Sequence, residues 1–315
     1  MNEMTFYITA RDGAKLWTRR WSAECAAKGV VLVVHGMAEH SGRYNEFAER
    51  LGKRGFEVWA FDLRGHGKTA DKKINSPAKG GILGHSADRK AFSKMLGDID
   101  TVRAEIEKNN PMLPFFLFGH SFGSFLVQGY IEYVKKRMPA GCLLSGTRGP
   151  GGPSVTAGAH FLNIYSFFRG RRHLSRFSSG IVLGGNNKPF RPTRTPYDWL
   201  SRDNAAIDAY IGDPLCGRLY SAGFFRDLLW ILIKIHSGIA LSKIKKELPV
   251  YIFSGSEDPV GGMGKNVTAL VKKYTREGIK DVEFVLYPNA RHEMLHEINR
   301  EEVYANLLDW LERHF

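Results

Sequence analysis

Phe115-Phe116-Leu117-Phe118-Gly119-His120-Ser121-Phe122-Gly123 is the stretch that decides the fold. Four consecutive apolar side chains read as a strand buried on both faces. G-x-S-x-G follows without a spacer. In that pattern a serine sits at a tight strand-to-helix turn, and the flanking glycines let two backbones approach. Residues 122–138 read as a helix, so the pattern lies in the setting that a nucleophile elbow requires. The competing reading of Ser121 is a helix N-cap.

Outward from this stretch, strand and helix alternate. Segments 5–9 and 16–21 flank Asp12-Gly13 and read as an antiparallel hairpin. Val30-Val31-Leu32-Val33-Val34 is mostly β-branched, as expected of a buried strand. Further strands are read at 58–61, 142–144, 250–253 and 282–286. Helices are read at 45–51, 89–108, 263–276 and 301–313. Such alternation predicts an α/β fold, with a mostly parallel central sheet and helices on both faces.

The rhythm breaks at about residue 146 and resumes at about 246. This segment opens with Gly149-Pro150-Gly151-Gly152-Pro153 and carries two apolar, aromatic runs, 161–168 and 224–233. It is read as a cap or lid insertion. The expected organisation is core at 1–145, cap at 146–245 and core at 246–315. The aromatic runs line an acyl pocket on one reading and pack on the core on the other.

The 315 residues carry a net charge of +13 and three cysteines, Cys25, Cys142 and Cys216. An odd number without framework spacing fits reduced thiols, hence a cytoplasmic setting. The N-terminus lacks a basic region followed by an apolar one, so no signal peptide is read. No apolar run is long enough to span a bilayer. The charge is uneven. Between Glu132 and Asp198 there is no acidic residue, while Lys135, Lys136, Arg137, Arg148, Arg169, Arg171, Arg172, Arg176, Lys188, Arg191 and Arg194 fall there. Either this is a solvated basic face, or it attracts an anionic membrane surface in peripheral contact. Specific nucleic-acid binding is not expected, because no recognition motif accompanies the charge.

A serine hydroxyl needs a base to take its proton, and that base needs a carboxylate to hold its tautomer. In the strand-elbow-helix setting the chain order is serine, acid, histidine. Asp258 follows the strand at 250–253 and is the expected acid, with Glu257 as the neighbour to be distinguished from it. An N-cap or Asx-turn before Pro259 is the competing role of Asp258. His292 follows the strand at 282–286 and is the expected base. The oxyanion needs two backbone donors. The residue after the nucleophile, Phe122, supplies one, and Met37 in the loop after the early strand supplies the other. His292-Glu293-Met294-Leu295-His296 also matches the H-E-x-x-H zinc signature. That reading needs both histidines on one helical face and a third ligand. Pro288-Asn289 puts His292 ahead of any helix, and the chain ends soon after His296, so no metal is expected.

These residues resemble a known group. His35-Gly36-Met37-Ala38-Glu39-His40-Ser41-Gly42-Arg43-Tyr44 is similar to the HGxxEHSGRY block of monoacylglycerol lipase and lysophospholipase-like α/β-hydrolases. Asp62-Leu63-Arg64-Gly65-His66-Gly67 resembles their D-x-R-G-H-G turn. Residues 119–123, Asp258-Pro259-Val260 and Arg291-His292-Glu293 match the three catalytic segments in order. The resemblance covers about two-thirds of the chain, and the cap is its least family-like part. Phe122 stands where methionine is usual, Ser124 where a second glycine often follows, and Lys68-Thr69 where a small residue and a serine do.

The resemblance implies the α/β-hydrolase fold with an inserted cap, and no cofactor. It implies Ser121 as nucleophile, Asp258 as acid, His292 as base, and Met37 and Phe122 as the oxyanion hole. The implied substrate is a small lipid or ester, either a monoacylglycerol or a lysophospholipid. A serine aminopeptidase is the alternative. It would need an acidic cluster in the cap to hold an α-ammonium, for which Asp198, Asp203 and Asp208 are the candidates. A non-catalytic binding protein on the same fold is the third reading.

Overall fold

The computed structural model describes residues 2–134 and 138–315. In chain order its elements are β1 (Glu3–Thr9), β2 (Lys15–Trp21), β3 (Gly29–Val34), α1 (Asn45–Lys53), β4 (Phe56–Phe61), α2 (Ala91–Asn109), β5 (Phe115–His120), α3 (Phe122–Tyr133) and β6 (Gly141–Ser145). After these come α4 (Gly152–Arg169), α5 (Arg176–Leu183), α6 (Asn204–Gly212), α7 (Ala222–Ile235), α8 (Gly238–Leu241), β7 (Val250–Gly255), α9 (Lys265–Arg276), β8 (Val282–Tyr287) and α10 (Arg300–Arg313).

The strands form one sheet in the order β1-β2-β4-β3-β5-β6-β7-β8. β1 and β2 form the expected antiparallel hairpin, and β2 runs antiparallel to β4. From β4 to β8 all neighbours are parallel. β3 shows why such strands are apolar throughout. Val30, Leu32 and Val34 enter the core on one face, while Val31 and Val33 enter the core on the other. The period-2 alternation of a strand divides the residues between two apolar layers.

Helices α1 and α10 cover one face through Phe47, Leu51, Leu307 and Trp310. α2, α3 and α9 cover the opposite face through Ile99, Leu126 and Leu270. The helices α4 to α8 lie in sequence between β6 and β7. One of them, α7, sends Phe225, Leu228 and Ile231 into the same core as α3.

Several helix boundaries differ from expectation: α1 runs on to Lys53 and α2 starts at Ala91. α3 ends at Tyr133 rather than Met138, because Val134 is extended (φ −99°, ψ 112°). Pro139 disfavours helical backbone at the residue before it. Lys135, Lys136 and Arg137 lie outside the described residues. α9 starts at Lys265 rather than Met263, because Gly264 takes φ +81°. No helix among the described residues is long and apolar enough to cross a membrane.

Trp310 is fully buried, stacked on Tyr251 with ring centroids 5.7 Å apart and packed against Phe116. A Cβ at Gly141 would come within 2.5 Å of its ring, so that glycine makes room for the indole. Replacing Trp310 with Ala is expected to cost about 3–5 kcal/mol, read as a lowered urea midpoint with an unchanged slope.

Candidate active site

β3, β5, β7 and β8 are parallel, so the loops after their C-terminal ends gather on one edge of the sheet. Met37, Ser121, Asp258 and His292 stand on those four loops. At the β5–α3 junction Ser121 has φ +50° and ψ −119°, a strained conformation for a residue with a side chain. Its N–H donates to Ser145 O at 2.9 Å, and its carbonyl accepts from Ser124 N–H at 2.9 Å. The glycines are obligatory. A Cβ on Gly123 would lie 1.9 Å from Val34 O, and one on Gly119 would lie 2.7 Å from Ser124 Cα.

His292 and Asp258 are buried, and His292 Nδ1 lies 2.9 Å from Asp258 Oδ1. A carboxylate only accepts, so Nδ1 carries the proton and Nε2 keeps its lone pair. Val260 N–H and the Ser254 hydroxyl also donate to Asp258, at 2.8 and 3.1 Å. The ring of His292 sits between those of His120 (4.9 Å) and Trp199 (5.0 Å). Burial alone lowers the His292 pKa, but the Asp258 carboxylate and, further off, Glu293 and Glu39 turn the net shift upward. Burial likewise raises Asp258, and His292 with its hydrogen bond reverses this to a net lowering. Burial and the neighbouring His292 hold His120 down at about 4, so it is neutral at physiological pH.

Ser121, His292, Met37 and Phe122 all line one cavity of about 650 Å³. No hydrogen bond joins Ser121 to His292 among the described residues, and such contacts are often long before substrate arrives. Phe122 is the first residue of α3, where backbone N–H groups lack intrahelical partners and the helix dipole is positive. The Met37 N–H is engaged in no loop or turn hydrogen bond among the described residues. Val155, Leu183 and Leu229, from α4, α5 and α7, form the apolar far wall.

Several supporting residues had no role assigned from the sequence. Asp62 accepts from Ser41 N–H (2.8 Å), the Ser41 hydroxyl (2.6 Å) and Lys68 N–H (2.7 Å), tying the loop after β3 to the loop after β4. His35 Nε2 accepts from Leu63 N–H at 2.9 Å, so its Nδ1–H donates to Gly36 O at 2.8 Å. Arg43 grips both oxygens of Glu293 at 2.7 Å and pairs with Glu39 at 2.9 Å. Burial opposes ionisation of both glutamates, but Arg43 brings each below the usual carboxylate range. Buried Glu297 accepts from Arg291 N–H at 2.8 Å and from Arg202, anchoring the loop that carries His292. The signal available in the sequence was the run of charged residues Glu39, Arg43 and Glu293 inside otherwise fold-defining motifs.

The H-E-x-x-H match does not form an α-helix. Only Met294–His296 turn, as a short 3₁₀ segment, while His292 is bound to Asp258 and Glu293 to Arg43.

This elbow on a mostly parallel, helix-covered sheet defines an α/β-hydrolase. The family model described as serine aminopeptidase, S33, matches residues 26–299, and the chain belongs to that family. It is 27% identical over 307 residues to a monoacylglycerol lipase of Mycolicibacterium smegmatis, covering 93% of this chain and 91% of that protein. An uncharacterised abhydrolase domain-containing protein of Dictyostelium discoideum is 26% identical over 306 residues. The match covers 96% of this chain but 28% of that protein. A thermostable carboxyl esterase from Bacillus coagulans, solved with glycerol, superposes with a TM-score of 0.89 at 26% identity, covering 100% and 99% of the two chains.

The Asp258→Asn variant separates the two influences on His292. With the Asp258 charge gone, the imidazole pKa is expected to fall below its wild-type value, as measured by NMR titration. An unchanged pKa would contradict the electrostatic assignment.

Proposed function

We propose that the chain is a serine hydrolase that cleaves carboxylic esters of lipid type, a monoacylglycerol or a lysophospholipid, through an acyl-enzyme. The observation that carries this reading is a strained serine lining a cavity that it shares with a histidine already oriented by a buried carboxylate. The similarity to a monoacylglycerol lipase and to a carboxyl esterase supports ester hydrolysis.

In this mechanism the Ser121 oxygen attacks the ester carbonyl as His292 Nε2 takes its proton. Asp258 stabilises the imidazolium. The negative charge that develops on the carbonyl oxygen meets the N–H groups of Met37 and Phe122. The alcohol leaves with the proton from His292. Water then repeats the sequence on the acyl-serine and releases the acid. The helices inserted between β6 and β7 act as the cap that holds the acyl chain.

The three cap aspartates that the peptidase alternative would use are already paired. Asp198 accepts from Arg194 N–H and Thr195, Asp203 caps α6 and pairs with Arg300, and Asp208 pairs with Arg194. Glu39 and Glu293 do line the cavity, but both are already engaged by Arg43, whose single charge offsets one of the two.

The cap also supports membrane contact. Phe161, Ile164 and Phe168 share one face of α4 at helical spacing and are exposed. Phe167 and Phe168 are 81% and 78% exposed. Arg171, Arg172 and Arg194 are paired with Asp227, Asp88 and Asp208, which reduces the free positive field of the acid-free stretch. The apolar face therefore carries more of the expected binding than charge does.

Ser121→Ala is expected to lower p-nitrophenyl ester hydrolysis by roughly 10³-fold or more; a native rate would reject the mechanism. His292 must be neutral to act as base, and its pKa is raised. The acid limb of kcat/KM should therefore have its midpoint above pH 6.5, with activity falling as pH falls. A double Phe167→Ser/Phe168→Ser variant is expected to bind anionic vesicles roughly tenfold more weakly, with hydrolysis of a soluble short ester retained. Undiminished vesicle binding would remove this face from the interface.

A further inference from the structure

The loop carrying Met37 is held from two sides. On the core side, His35 Nδ1–H fixes the Gly36 carbonyl, which belongs to the same peptide unit as the Met37 N–H. On the other side, two tyrosines from the insertion bind the next residue. Ala38 N–H donates to Tyr220 Oη at 3.2 Å, and Tyr210 Oη–H donates to Ala38 O at 3.0 Å. Gly217 N–H, from the same insertion, donates to that carbonyl at 3.0 Å. Ala38 has φ +60°, a left-handed conformation costly for a residue with a Cβ. Such a conformation persists when its surroundings over-determine it.

Tyr220 also reaches the second donor. Its ring packs on Phe224 at 4.5 Å, and Phe224 packs on Phe122 at 5.1 Å. Both tyrosines are buried, and both line the cavity. Tyr220 is itself anchored, because the flanking Ser221 N–H donates to Gly84 O and Tyr220 O accepts from Ser175 N–H.

We infer that Tyr210 and Tyr220 are positioning residues for the oxyanion hole, aligning the Met37 N–H through the Ala38 peptide groups. The inference rests on Ser121 being the nucleophile. It makes the seating of the insertion, and so the filling of the cavity it lines, a condition for full transition-state stabilisation. Removing the Tyr220 hydroxyl leaves the Ala38 N–H without its acceptor in a buried setting and frees the loop to turn. That hydroxyl is committed to Ala38 N–H, so its loss is expected to act on the transition state more than on ground-state binding.

The test uses Tyr220→Phe and Tyr210→Phe, which keep the rings, with a soluble ester and a medium-chain alkyl trifluoromethyl ketone. Ser121 Oγ adds to the ketone carbon, His292 takes the proton, and the former carbonyl oxygen becomes an oxyanion in the hole. Tyr220→Phe is expected to lower kcat about 10–100-fold with KM within about threefold, and to weaken the ketone in parallel. Tyr210→Phe is expected to lose less, about 3–10-fold, because Gly217 N–H still holds Ala38 O. The midpoint of the acid limb should not move, since His292 is untouched. If Tyr220→Phe does not fold, Tyr210→Phe decides alone. A loss of kcat at unchanged ketone affinity, or unchanged values of both, overturns the inference. The ¹⁹F signal of the wild-type adduct tests the nucleophile separately. No adduct there overturns the Ser121 reading and this inference with it, whereas an adduct equally tight in the variants overturns the inference alone.

Discussion

The site depends on how closely two backbones meet. Gly123, in the first turn of α3, lies against the carbonyl oxygens of Val34 and His35 at the end of β3, where no Cβ fits. That contact brings the first turn of α3 against the end of β3. Phe122 and Met37, which follow from these two elements, therefore line one cavity. Parallel pairing of β3 with β5 sets the distance between the two loops, and the missing side chain lets them close it. The strain at Ser121 belongs to the same constraint, since the chain must reverse from strand to helix in a single residue.

Charge is managed in two ways around this junction. Asp258 and His292 form a pair whose members favour each other's ionised forms, the condition needed to stabilise an imidazolium transiently. Glu39, Arg43 and Glu293 form a second buried group that is permanently ionised. Breaking one member of such a group leaves an uncompensated charge, so it holds the loops after β3 and β8 together more by the penalty of separation than by net attraction. His120, whose ring lies 4.9 Å from that of His292, stays neutral and adds no charge of its own.

Much of this was legible beforehand for identifiable reasons. β3, β5, β6 and β7 are apolar runs bounded by turn residues. The elbow, Asp258 and His292 each follow a strand, so chain order was enough to nominate them as candidates. The ends of α3 and α9 were misjudged because Val134 and Gly264 depart from helical backbone for local reasons that an apolar repeat does not carry. The short helices α5, α6 and α8 were missed because each spans too few turns for a periodic pattern to stand out. Tyr210 and Tyr220 carried no signal either. They lie far from the core motifs in sequence, and their importance comes from which peptide their hydroxyls meet after the chain has folded back. Arg43 and Glu293 were visible as motif residues, yet their pairing across 250 positions was not.

The clamp on Ala38 has a bearing on how such molecules diversify. An inserted segment is ordinarily free to change in length and composition while the chemistry beneath stays fixed. Here part of the machinery's geometry is written in the insertion, so exchanging that segment with a relative's would transplant one jaw of a vice along with a new pocket. The insertion and the turn after the third strand are then one mechanical unit, and a displacement of either is felt at Ala38.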